Sequence, residues 1–426
     1  MSHFLRALLA LVLIGSSRAT LAASPPEPLD VEHYVALVSK NHPASRIAAS
    51  RVAAAEAERL SARLIPDPTF EVGFGRGKAT GPESGAEKSE RAYSIRQTLP
   101  WPSTFAAGVR AADRGAEILA AKGRRAIREI ESEARQSFFR LLETRELLDL
   151  FRAAEVDARS LRDLVSRRVG VGEARESDRV KAEVEWLRQR LALVGAERDA
   201  EGAEKTVRAL AAAPLPEPLT LAGVLPTPDL FVSVADFASR ILESNPDLLE
   251  ARAEAERDRE ILSTAKWSRV PDLELSLFRN REIDKNSNGF ALGFRLPLWN
   301  ANRGEIAKAE AQAFLAVAEA AKIEIALRIE FESRFRGLEV ARARAALFRE
   351  EILPASRESQ RIARLLYEEG ETSLLDLIDA SRTLREAVRE EIESRLELAA
   401  ALVELGRLVG PEIVFAAEPG DRNPKP

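Results

Sequence analysis

Thr98-Leu99-Pro100-Trp101 and Leu296-Pro297-Leu298-Trp299 stand 198 residues apart, and that interval recurs far beyond them. Trp101 pairs with Trp299, Gly172 with Gly370, Asp178 with Asp376 and Ala182 with Ala380, all at the same offset. Each copy begins on a strand-like end, becomes a helix of unusual length, stops near Gly and continues as a second helix. A repeat of this length means one unit built twice, and function has to come from what that unit builds.

Read backwards from the two Trp residues, the hydrophobic period is two. In 69–76, Phe70, Val72 and Phe74 face one way and Glu71, Gly73 and Gly75 the other. Tyr93, Ile95, Gln97 and Leu99 oppose Ser94, Arg96 and Thr98 in 91–99. The second copy repeats the pattern in 272–279 (Leu273, Leu275, Leu277 against Glu274, Ser276) and 289–297 (Phe290, Leu292, Phe294, Leu296 against Ala291, Gly293, Arg295). Polar, Gly- or Asn-containing loops join the members of each pair. Strands of about 8–10 residues with one apolar and one polar or small face suit a tilted transmembrane β-strand. Soluble hairpins with one buried face are the alternative. Trp101 and Trp299, at strand ends, fit an interfacial aromatic position.

Read forwards, the period becomes helical. From Ser103 to Arg168 there is no Pro, and Leu147, Phe151, Ala154, Ala158, Leu161 and Val165 alternate spacings of four and three. The second copy gives Leu338, Ala341, Ala345, Phe348, Ile352, Ala355, Ser359, Ile362 and Leu366, which predicts coiled-coil packing. Pro354 predicts a kink. Each long helix ends at Gly-containing turns, Val171-Gly172-Glu173 and Gly370-Glu371-Thr372, where Gly takes a left-handed helix end at little cost. The helical hairpins are therefore expected over 103–212 and 303–409. Ahead of each strand pair stands another helix: Asp30 caps one expected to run to about Leu64, and a matching one carries Asn245-Pro246.

The remainder follows as a 1–23 export signal (Arg6, an apolar Ala7–Gly15 core, small residues to Ala23), a first repeat over 24–212, a Pro-rich linker over 213–229, a second repeat over 230–410 and a loose 411–426 tail. The formal net charge of −5, with basic residues scattered along helices, argues against nucleic acid as a partner. There is no Cys and there are three His, so thiolate metal sites are excluded, N-terminal lipidation on Cys is excluded, and catalysis through Cys or His is poorly supplied. No phosphate loop or nucleophile–His–carboxylate set is present; neither an enzyme nor a bound cofactor or metal is expected. His33 and His42 are expected at the surface.

Four strands cannot close a barrel, and an open sheet in lipid leaves edges that the bilayer does not tolerate. Two copies would give eight strands, which side chains fill; three would give twelve, wide enough for a lumen. The expected fold class is mostly α with a transmembrane β-barrel contribution: two tandem repeats, long antiparallel coiled-coil helices plus two β-hairpins, closing a twelve-stranded barrel as a homotrimer. The rival reading is an exported structural coiled-coil or surface protein without a pore.

The order and double occurrence of these segments resemble the outer membrane efflux protein family, the TolC-like channels. The resemblance covers nearly the whole chain after 1–23 and rests on Ile65-Pro66-Asp67-Pro68, Asn245-Pro246, Leu296-Pro297-Leu298-Trp299, Val171-Gly172 and Tyr367-Glu368-Glu369-Gly370-Glu371-Thr372-Ser373-Leu374-Leu375-Asp376. It implies the outer-membrane channel and periplasmic tunnel of a tripartite efflux system, a passive duct embedded in outer-membrane lipid. Its partners would be a periplasmic adaptor and an inner-membrane pump. Val171, Gly172, Glu173, Gly370, Glu371 and Thr372 would then be adaptor-docking tips. Asp178, Tyr367, Asp376 and Asp379 would belong to the periplasmic gate, where carboxylate rings favour cations. Some members carry Arg near the position of Thr372. Two plainer readings stand beside these: Asp376 as a helix first-turn acid, and both Gly residues as helix C-caps.

Overall fold

The computed structural model describes residues 28–78, 87–228, 237–282, 285–295, 299 and 301–410. The expected export signal, part of the second strand pair's end at 296–297, the linker's last residue, the start of the second repeat at 230–236 and the tail at 411–426 lie outside them. In chain order the elements are α1 (Val31–Asn41), α2 (Pro43–Ala62), β1 (Thr69–Lys78), β2 (Glu87–Leu99), α3 (Pro102–Gly170), α4 (Glu176–Ala211), α5 (Phe237–Ser244), α6 (Pro246–Trp267), β3 (Leu273–Arg281), β4 (Asn286–Phe294), α7 (Arg303–Leu347), α8 (Leu353–Glu369) and α9 (Leu374–Val409).

The strands form one antiparallel sheet in the order β1-β2-β3-β4. Its central pairing joins the two halves, with Ile95 opposite Leu277 and Leu99 opposite Leu273. A side-chain carboxylate closes the same junction: the Trp101 N–H donates to Asp272 Oδ1 at 2.8 Å. The ladders run further than the side-chain alternation does. β1 and β2 reach Lys78 and Glu87, not 76 and 91, and β3 reaches Arg281. Backbone pairing propagates wherever both chains stay extended, whatever the side chains there.

One face of this sheet is apolar over most of its length, and Arg76, Arg91, Arg279 and Arg281 share that face at the hairpin-loop end. Phe70, Val72, Phe74, Tyr93, Ile95, Leu273, Leu275, Leu277, Phe290, Leu292 and Phe294 all stand exposed on it, Phe74 at 77 % and Phe290 at 70 %. An apolar surface of this extent needs a non-aqueous neighbour. The other face carries Glu71, Ser94, Arg96, Glu274, Ser276 and small residues. Here Ser94 Oγ donates to Glu71 Oε2 at 3.3 Å and Arg96 stands 3.8 Å from the same oxygen. Phe278 is the aromatic on this face; its ring lies over Gly289, where a Cβ would come within 2.9 Å of Cζ.

Below the sheet, α3 spans 69 residues, roughly 100 Å at the α-helical rise. Near the sheet the helices lie side by side as α2–α3–α6–α7; further down the order is α4–α3–α9–α8. Two clusters fill the middle. In one, Tyr34, Val38, Phe138, Leu141, Val207 and Val403 join α1, α3, α4 and α9, and Tyr34 Oη donates to the Val207 carbonyl at 3.0 Å. In the other, Ile241, Leu248, Phe331, Leu338, Leu402 and Leu405 join α5, α6, α7 and α9. Each fully buried Leu contributes about 1.5–3 kcal/mol by area.

The helix expected from Asp30 to Leu64 is instead two. His42 precedes Pro43, a setting that disfavours helical ψ, and is extended at ψ 138°. Its Nδ1 accepts the Ala44 N–H at 3.2 Å and starts α2 afresh. Asn245 does the same for α6, accepting the Asp247 N–H at 2.9 Å. His33 is a surface residue bound to its own cap, Asp30, at 2.6 Å.

Pro354 acts one turn upstream of itself. With no N–H to offer and a ring that crowds the fourth carbonyl back, it follows a π-helical turn, Phe348–Ile352, closed by the Leu353 N–H on the Phe348 carbonyl. A π turn inserts one extra residue. The buried stripe therefore slips: Leu338, Ala341, Ala345 and Phe348 are buried as the spacing predicts, but beyond the turn Leu353, Ser356 and Tyr367 take over. Ala355, Ser359 and Ile362, expected inward, stand exposed.

Candidate functional site: the paired helix tips

Both long helices end in the same way. In the first tip Gly172 has φ +82°, the Gly172 N–H donates to the Val169 carbonyl at 3.0 Å and the Glu173 N–H to the Arg168 carbonyl at 2.8 Å. In the second, Gly370 has φ +81°, its N–H donates to Tyr367 at 3.2 Å and the Glu371 N–H to Leu366 at 2.9 Å. Both are Schellman turns, which satisfy last-turn carbonyls and favour Gly at the left-handed residue. Val171 is 72 % exposed, and Glu173, Gly370 and Glu371 are exposed as well.

The tips pack against each other. Val165 of α3, Ala182 of α4, Tyr367 of α8, and Leu374, Leu377 and Ile378 of α9 form one buried cluster. Arg168 bridges them: its guanidinium donates to the Tyr367 and Glu368 carbonyls, both at 3.4 Å, and lies 5.2 Å from the Tyr367 ring centroid. A cation at a helix C-terminus is favoured by the dipole. Burial pushes the Tyr367 phenol above its usual range, against the pull of Arg168, and nearby Asp178 adds to the rise. Tyr367 and Asp178 are thus brought together, with Arg168 beside the Tyr ring. The spacing of apolar residues does not single out Arg168; its place as a basic residue in the last turn of α3 is the signal for it.

Asp376 has a different setting from Asp178. Ser373 and Asp376 form a reciprocal capping box at the start of α9. One carboxylate oxygen accepts from Ser373 Oγ at 2.6 Å, Thr372 Oγ1 at 2.8 Å and the Ser373 N–H at 3.1 Å. Those bonds hold the carboxyl below its ordinary value, the Ser373 hydroxyl foremost. The matching N-cap of α4, Arg175, makes no side-chain cap bond, and Asp178 instead lies 3.4 Å from Lys181 Nζ. Asp379 is exposed one turn on. A carboxylate with a depressed folded pKa contributes stability that is full above the unfolded value, near 3.9, and is lost as pH falls through the folded one. The protection of the Asp376 and Leu377 amides, after correction for intrinsic exchange, is therefore expected to fall below about pH 4. In Asp376→Asn that pH step should vanish; a step of unchanged size would refute the capping role.

Above the tips, Glu185 of α4 is buried and reaches α9. Its Oε1 accepts from Arg385 at 2.6 Å and from Gln189 at 2.8 Å, and Oε2 lies 3.5 Å from Arg382. Burial lowers the Arg385 guanidinium below the usual arginine range, and Glu185 opposes that shift. A cavity of about 400 Å³ runs beside this cluster between α3 and α8, floored by Leu377, Leu384 and Val388. Trp101 is partly exposed and Trp299 is 97 % exposed near the sheet's lower rim. Among the described residues no group of His, Cys, Asp and Glu is placed to hold a metal ion, and no helix is long and apolar enough to cross a membrane.

Residues 237–411 match the pattern of the outer membrane efflux protein family. A curated relative, the cobalt-zinc-cadmium resistance protein CzcC of Cupriavidus metallidurans, is 27 % identical over 371 residues, covering 84 % of this chain and 85 % of that one. The outer-membrane channel OprN superposes with a TM-score of 0.78 at 18 % identity, over 90 % of both chains. The open state of the MtrE outer membrane channel of Neisseria gonorrhoeae superposes at 0.73 with 18 % identity, over 90 % of this chain and 89 % of that one.

Proposed function

The chain belongs to the outer membrane efflux protein family and is an outer-membrane channel for export in a Gram-negative bacterium, and from that premise we propose that it works as a trimeric duct. The observation that carries the reading is the pairing of an apolar sheet face with two edges, β1 and β4, that are unpaired among the described residues. Lipid satisfies the face and only closure satisfies the edges. Three copies give twelve strands around a lumen faced by Glu71, Ser94, Arg96, Glu274 and Ser276. The helices continue the wall into the periplasm.

The Schellman tips, Val171-Gly172-Glu173 and Gly370-Glu371-Thr372, are the docking points for a periplasmic adaptor joined to an inner-membrane pump. The duct is passive and powered by that pump. Tyr367, Asp178, Asp376 and Asp379 form its periplasmic gate. Asp376 holds its own helix start as well, so its charge is fixed in place by three donors. Divalent metal cations are the favoured cargo class, supported by the likeness to a cobalt-zinc-cadmium resistance protein and by the acidic gate, since carboxylate rings favour cations.

The reversal potential of the purified protein under a salt gradient tests the gate. Wild type is expected to be cation-selective, and Asp376→Asn with Asp379→Asn to lose most of that preference. Unchanged selectivity would remove these two residues from the gate while leaving the channel.

A further inference from the structure

The apolar face of the sheet ends in positive charge on one side only. Alternation places Arg76 of β1, Arg91 of β2, and Arg279 and Arg281 of β3 on the same face as Phe74, Tyr93 and Leu277. The register makes them neighbours. Arg91 stands directly across from Arg281, and Arg76 and Arg279 occupy the two diagonals beside it. Residues directly opposed in a sheet lie about 4.5–5.5 Å apart and diagonal ones about 7–8 Å, and like charges set opposite each other weaken the pairing. All four are exposed, and among the described residues none of them has a hydrogen bond or an ion pair of its side chain. Four guanidiniums gathered in this way call for an anion from outside the chain.

Their height in the membrane follows from what shares their rungs. Arg91 lies opposite Phe74, and Arg279 opposite Tyr93. Tyr marks the boundary between acyl chains and headgroups, and Arg rests its stem on apolar surface while its head reaches out of it. The guanidiniums therefore stand at the headgroups. At the other end of the same face the strands finish on Leu99, Leu273 and Phe294, with no cation. The cationic end is that of the hairpin loops, and the helices leave from the other end.

We infer that this patch binds the phosphates of a phosphorylated glycolipid of the outer leaflet, of the lipid A class. A phosphate seated between Arg91 and Arg281, with Arg76 and Arg279 at its sides, turns their mutual repulsion into attraction. The planar guanidinium fork matches phosphate oxygens two bonds at a time. The occupant is a lipid and not a free anion because Phe74, Leu277 and Phe290 continue the same surface and take the acyl chains. The inference rests on the proposed function for two things, the apolar face meeting lipid and the helices lying in the periplasm. It adds a ligand site on the outside of the barrel, away from lumen, tips and gate.

Wild type, Arg91→Gln with Arg281→Gln, and Arg96→Gln are extracted from outer membranes in detergent, delipidated and checked for equal native mass. Each is offered equal amounts of bisphosphorylated lipid A and the same glycolipid with both phosphates removed, and native mass spectrometry counts what stays bound. Wild type is expected to favour the phosphorylated form by roughly thirtyfold, the order set by two basic residues at a membrane surface. The double variant should lose that preference, and Arg96→Gln, on the other face, should keep it. No preference in wild type, a preference erased by equimolar inorganic phosphate, or one unchanged in the double variant would overturn the site and leave the channel standing. Loss in Arg96→Gln in place of the pair would mean that the other face meets lipid, and would overturn the proposed barrel as well. Arg76→Gln with Arg279→Gln carries the test if the first pair fails to accumulate.

Discussion

Leu277→Arg is expected to remove most of the protein from the outer membrane. Leu277 lies at the middle of β3, on the apolar face, between Ile95 and Phe290 on the neighbouring strands. An Arg at the midplane of the lipid face of a β-barrel costs about 2–4 kcal/mol, and the proposed trimer would incur that cost three times. The adjacent Ser276 points to the other face, so Ser276→Arg meets water and is expected to insert normally. Fractionation of outer membranes, with both variants expressed beside wild type, gives the answer. Equal recovery of Leu277→Arg and Ser276→Arg would mean that the sheet does not present this face to lipid.

Glu185→Ala is expected to be the most damaging single change in the helical tube. It leaves Arg385, whose side chain is 18 % exposed, facing the position of a lost carboxylate. Breaking a buried pair by removing one partner costs about 3–5 kcal/mol, because the remaining charge stays desolvated. Replacing both partners together, as Glu185→Leu with Arg385→Leu, should recover most of the loss, since well-packed apolar groups often match a buried ion pair. Thermal loss of helical circular dichroism reads both. If the single and double variants melt alike, the damage comes from altered packing and not from a stranded charge. Protease cutting near Gly172 and Gly370 is expected to accelerate in the single variant, because Glu185 ties the first helical hairpin to the second.

Much of this architecture is legible in the chain because the unit occurs twice. A Gly followed by a short polar turn is common; the same turn at Gly172 and Gly370, each ending a very long helix, is specific. The strand faces were readable for a similar reason. Alternation in Phe70–Phe74 is matched by Leu273–Leu277, and both sets lie on one side of one sheet.

What stayed hidden depends on side-chain partners or on local backbone choices. The π turn at Phe348–Ile352 shifts the buried stripe by one residue, and Pro354 announces a disturbance without saying whether it bends the helix or adds a residue to it. The break at His42 follows from Pro43, yet an imidazole is an uncommon cap and gave no warning. Glu185, Arg385 and Arg168 were invisible for a plainer reason. In a chain that is 31 % charged, spacing along one helix cannot single out the residues that meet across two. The dual setting of Asp376 was half visible: Ser373 three residues ahead is a capping signature, and the structure shows that box fully formed.

The central claim is that copies of this chain enclose a water-filled path through the outer membrane. Single-channel recording from purified, detergent-extracted protein in a planar bilayer tests it most directly, with Tyr367→Ala alongside to loosen the tips. Discrete conductance steps are expected, larger or more frequent in Tyr367→Ala than in wild type. A bilayer that stays silent with both proteins, each shown to be oligomeric and drawn from outer membranes, would contradict the account.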